Sequence, residues 1–163
     1  MHRALKILHL LGLALFLGSV FSHVVASVLG GPPGSPGFLP ARAEIVAATR
    51  ALTLPGLGLA VLSGFGMALL APGFRRQRWF WLHVGLAALV VGSSLAWVAP
   101  AGRRALALAA GGDASGLAAA LLTERVAGSV NIALAIALLA VGVIKPALRA
   151  RKEARLVERG VRP

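Results

Sequence analysis

Apolar residues run almost unbroken from Leu5 to Leu29, long enough for a bilayer span of about 20 residues. Three further runs, over about 50–71, 79–98 and 126–145, have the same character, and the polar positions fall between them. This pattern predicts an all-α, four-transmembrane-helix bundle in a single integral membrane domain. Arg3 and Lys6 precede the first run as in a signal peptide, and Val25-Ala26-Ser27 would pass as a cleavage site. A signal peptide's apolar region covers only roughly 7 to 15 residues, so the run is read as helix one. Its small residues Gly18, Ser22 and Ala26 recur at every fourth position, the spacing that lets a neighbouring helix approach closely.

Gly30 to Pro40 is dense in glycine and proline and reads as an exposed loop. Helix two then begins between Ala41 and Thr53 through an amphipathic entry with Arg42, Glu44 and Arg50, and Pro55 kinks it or marks the start of the span proper. Pro72 and Gly73 end it. Trp79, Phe80 and Trp81 form an aromatic belt opening helix three, which is expected to stop at Pro100. The alanine- and leucine-rich stretch from Ala101 to Arg125 reads as one or two short interfacial helices between helices three and four. A basic tail follows Lys145-Pro146. No internal repeat stands out.

Composition sharpens this reading. The 163 residues are 58% hydrophobic and 13% charged, with a mean hydropathy of +0.83, outside the range of a soluble domain. The formal net charge of +12 lies in residues that flank apolar runs and not in a stripe with interleaved aromatics, which argues against nucleic acid and for contact with the lipid bilayer. By the positive-inside rule, about twelve Lys and Arg at the two termini and the helix two to three turn, against about five elsewhere, put both termini in the cytoplasm of a multi-pass inner (plasma) membrane protein. Without cysteine, disulfides, thiolate metal sites and covalent haem attachment are excluded.

The candidate chemistry lies in histidines placed within apolar runs, where an ionisable group points to function. His9 and His23 share helix one, about 21 Å apart along its axis and about 40° apart around it. His9 and His83 each lie about 6 Å inside the cytoplasmic boundary, and two imidazoles from different helices can supply the axial ligands of a b-type haem. Lys6, Arg75, Arg76 and Arg78 could pair with its propionates, and Gly12 and Gly85 would leave room for the macrocycle. Met67 is a competing ligand, ranked below His83 because methionine in an apolar helix is usually packing. The plain alternative is that each histidine bonds a backbone carbonyl or a hydroxyl across helices. His23 has no second ligand at its level; a second haem, a metal ion, a quinone contact or an interfacial position are its open readings. Electron transfer or oxidoreduction with a quinone or other redox partner, in a homo-oligomer, is the expected role. A cofactor-free structural or assembly subunit and a copper-handling protein are the alternatives, the latter short of soft ligands with two methionines.

Leu5-Lys6-Ile7-Leu8-His9 with Gly18, Pro55 with Ser63-Gly64 downstream, Trp81-Leu82-His83, and Val143-Ile144-Lys145-Pro146 together resemble the HemJ-type protoporphyrinogen oxidases and their relatives, including CopD-like copper resistance domains. The resemblance implies a four-helix fold with b-type haem on His9, and a tetrapyrrole-handling activity as one outcome. Gly85 stands where that family has a lysine, and of its Asn-Glu pair only Asn131 is nearby.

Overall fold

The computed structural model describes residues 2–71, 73, 75 and 77–144. Arg76 and the basic tail 146–163, both invoked above, lie outside the described residues. The described chain forms α1 (His2–Leu29), α2 (Phe38–Ala48), α3 (Leu54–Leu70), α4 (Arg78–Ser93), α5 (Ala99–Gly111) and α6 (Ala114–Ile144), with single π-helical turns at Thr49–Thr53 and Ser94–Val98. Those turns join α2 to α3 and α4 to α5, so that four continuous helices are long and apolar enough to cross a membrane: Arg3–Leu29, Phe38–Leu70, Arg78–Gly111 and Ala114–Ile144. The protein is an all-α, four-helix bundle of the multi-pass membrane type.

Two expectations change here. Pro55 and Pro100 do not end their helices, because each follows a π turn that accommodates the missing hydrogen bond, and Pro55 stands at the start of α3. Leu54 N–H reaches back five residues to the Thr49 carbonyl, and Ala99 N–H to that of Ser94. The wider turn relieves the clash that proline makes with the carbonyl four residues earlier. The stretch from Ala101 to Arg125 is helical as expected, but it continues helices three and four as extensions of α5 and α6 and does not form separate interfacial helices. Helix two likewise starts earlier, at Phe38, with Pro40 in its first turn where the N–H is not needed.

At about 1.5 Å per residue all four helices exceed the roughly 30 Å of a hydrocarbon core, helices two, three and four by the most. Their ends remote from His9 close around a second core of Ala105, Leu117 and Ala120, with Phe38, Leu108 and Leu121 against it. The α5–α6 corner is set by Gly112 in the left-handed region, φ 75°, and by Asp113, whose carboxylate accepts from Gly116 N–H and Ser115 O–H at 2.9 Å. The Gly116 N–H, then the Ser115 hydroxyl, hold the Asp113 carboxyl below its ordinary value. Its contribution is therefore complete above the ordinary carboxylate range and lost as pH falls through the lowered folded value. Asp113→Ala should lower the melting temperature at neutral pH, with the gap from wild type closing in acid; a gap independent of pH would contradict this.

The main core is built of one residue from each spanning helix: Phe16, Leu57, Val90 and Ala135. The same number of residues separates Phe16 from Val90 as separates His9 from His83 and Ser19 from Ser93. A second common spacing relates Leu57 to Ala135, Thr53 to Asn131 and Gly64 to Gly142. The contacts repeat with the residues. Ser19 Oγ lies 2.6 Å from Thr53 Oγ1 in the first hairpin, and Ser93 Oγ donates to Asn131 Oδ1 at 2.5 Å in the second. His9 packs on Gly64, and His83 on Gly142, where an added Cβ would lie 3.3 and 3.4 Å from the respective imidazoles. The bundle is thus two similar helical hairpins, a repeat visible in contacts where the sequence alone shows none.

Candidate functional site

In the first hairpin α1 and α3 approach until their backbones touch. A Cβ at Gly12 would lie 2.6 Å from Ala60 N and 2.7 Å from Gly56 O, and one at Gly56 would lie 2.8 Å from Phe16 N. Gly12 is therefore consumed by helix packing and leaves no room for a macrocycle, while Gly85 is exposed with open space around it. The close approach of helix one is made at Gly12; the expected stripe begins at Gly18, which has nothing within 4 Å of an added Cβ.

This contact carries His9 to the α3 backbone. His9 Nδ1–H donates to the Ala60 carbonyl at 2.8 Å. Ser63 Oγ, its own proton directed to the Leu59 carbonyl at 2.5 Å, stands 3.4 Å from the same nitrogen as a second acceptor. Because a carbonyl can only accept, Nδ1 carries the proton and Nε2 carries the lone pair. Among the described residues nothing hydrogen-bonds to Nε2. Ligating histidines are oriented in this way, with one ring nitrogen donating to a backbone carbonyl and the other facing the metal. It is also the cross-helix bond named above as the plain alternative.

His83 is half-buried over Gly142 of α6. His9 and His83 thus occupy equivalent places in the two hairpins, each against the partner helix of its own hairpin. Lys6, Arg75 and Arg78 are exposed at the same end of the bundle, and Met67 is half-buried near the end of α3. Trp81 Nε1–H donates to the Arg75 carbonyl at 2.9 Å, tying the turn to α4. Among the described residues, no three His, Cys, Asp or Glu side chains come together to hold a metal ion.

His23 lies toward the other end, its Nε2 3.3 Å from Ser19 Oγ. Nearby is a group the sequence reading did not single out. Arg42, 5% exposed, makes an ion pair with Glu124 of α6 and donates to Ser27 Oγ of α1 at 2.8 Å, joining three of the four spanning helices. The signal available was weak, because Arg42 shares its entry segment with Glu44 and Glu124 lies between Thr123 and Arg125, and their separation in sequence hides the pairing.

Comparison with protein-family models, curated proteins and solved structures found no match for this chain.

Proposed function

We propose that the protein is a membrane-embedded b-type haem protein for electron transfer or oxidoreduction, with His9 and His83 as the axial ligands. One observation carries this reading: the hairpins repeat, so a ligand held between them would meet His9 and His83 as equivalents, and His9 already presents Nε2 with its lone pair. The donor set suits iron porphyrin, for which two neutral imidazoles are sufficient. When bound, the haem would supply one-electron chemistry; the protein orients the His9 imidazole through the Ala60 carbonyl and packs each imidazole against the partner helix of its hairpin. Lys6, Arg75 and Arg78 stand where they would face propionates. The distribution of Lys and Arg supports an inner-membrane location with both termini cytoplasmic.

The visible spectrum of purified full-length protein tests this. A Soret band with a reduced α-peak is expected, lost almost completely in His9→Ala and in His83→Ala and retained in Met67→Leu. Protein that is colourless and takes up no added haem would overturn the proposal and leave His9 as a packing residue. Protoporphyrin formation by membranes containing the protein would extend the proposal to the tetrapyrrole chemistry that the family resemblance implies.

A further inference from the structure

Helices one and two are pinched together at the loop that joins them. An added Cβ at Gly30 would lie 2.5 Å from Ala41 Cβ, and one at Gly37 would lie 3.1 Å from the Gly30 carbonyl oxygen. Beside this closure an open groove of about 430 Å³ runs between α1 and α2, walled by Ser22, Val25, Ala26 and Leu29 on one side and by Ala41 and Glu44 on the other. Ser22 and Ala26 belong to the small-residue stripe of helix one, and their short side chains leave the groove hollow. It straddles a boundary. Its α1 wall is the end of an apolar run, whereas its α2 wall belongs to the polar entry that precedes the second span, so the groove opens where acyl chains give way to headgroups.

Glu44 is exposed, and among the described residues it is the only charged side chain on the groove walls. Of the three carboxylates in the described chain, Asp113 caps the α5–α6 corner and Glu124 pairs with Arg42, while Glu44 makes no hydrogen bond or ion pair among the described residues. Its charge favours a cationic headgroup and opposes an anionic one. A primary ammonium brings three N–H donors for a charge-assisted hydrogen bond to the carboxylate. A quaternary ammonium brings none, and the aromatic faces that hold such groups are missing from these walls. A second copy docked through the same face would add another Glu44 to the interface and no counter-charge. The volume falls within the roughly 300–1,000 Å³ typical of ligand sites. We propose that this groove holds a phospholipid with a primary-amine headgroup, of the phosphatidylethanolamine type, its ammonium on Glu44 and an acyl chain along Val25 and Ser22, independent of the haem reading.

The test uses full-length protein in neutral detergent micelles doped with one phospholipid at a time, all with the same acyl chains. A lipid that binds only the folded state raises the melting temperature along a saturating curve. Phosphatidylethanolamine is expected to do so, and phosphatidylcholine and phosphatidylglycerol are not. Glu44→Gln, and Ala26→Leu, which fills the groove, should each remove the rise, whatever their own melting temperature, while Asp113→Asn, away from the groove, keeps it. Carbodiimide coupling of bound phosphatidylethanolamine should form an amide at Glu44, read as a lipid-sized mass increase in the peptide that carries it. An equal rise with all three lipids, an unchanged rise in Glu44→Gln, lipid coupled only at other carboxylates, or a dimer that Ala26→Leu dissociates would overturn the proposal.

Discussion

Gly12→Ala is expected to force the first hairpin apart. The new methyl would sit 2.6 Å from Ala60 N and 2.7 Å from Gly56 O, both backbone atoms that cannot swing aside. Overpacking of this kind costs about 1–3 kcal/mol, and Gly12→Val should cost more, because its branched side chain meets the same wall. The consequence reaches the site, since Ala60 is also the residue whose carbonyl holds His9. Thermal unfolding in detergent should show the loss of stability, and nitrogen-15 spectra of the imidazole should show Nδ1 no longer locked as the protonated nitrogen. Gly18→Ala, at an open position, is the control and should stay within about 0.5 kcal/mol of wild type. If Gly12→Ala melts like wild type, the close packing is not what holds the hairpin.

Arg42→Ala should be the most damaging single substitution at the end of the bundle remote from His9. Glu124 would keep its burial and lose its counter-charge, and breaking a buried pair from one side typically costs about 3–5 kcal/mol. Ser27 of α1 would lose its guanidinium donor in the same step. The pair contributes less than that cost suggests, because desolvation offsets much of the attraction. The double variant Arg42→Met with Glu124→Leu should therefore recover most of the lost stability. A double-mutant cycle measured by thermal unfolding decides this: additive losses would show that the two side chains do not depend on each other.

Much of the architecture was legible in the chain because bilayer thickness imposes a length on apolar runs. The four spans, the loop of glycine and proline after Leu29, and the isolation of His9, His23 and His83 in apolar surroundings all follow from one-dimensional pattern. Helix ends were less legible. Proline ordinarily breaks a helix, and nothing local announces that a π turn at Thr49–Thr53 or Ser94–Val98 will absorb Pro55 or Pro100. The hairpin repeat was hidden because packing preserves place more widely than identity: His9 and His83, Ser19 and Ser93, and Gly64 and Gly142 agree, but Phe16 matches Val90, Leu57 matches Ala135 and Thr53 matches Asn131. Gly12 was recognised as small, but only the crossing of α1 over α3 shows that its space belongs to a backbone and not to a cofactor.

Sequence alone determined that this chain is a basic, cysteine-free bundle of four apolar helices carrying imidazoles within its apolar runs, because hydropathy and residue chemistry are properties of the chain. Tertiary structure decided which nitrogen of His9 holds a proton and which carboxylate meets Arg42. Those outcomes depend on contacts between helices far apart in the chain, and the distance between such partners is set by packing, which no local pattern encodes.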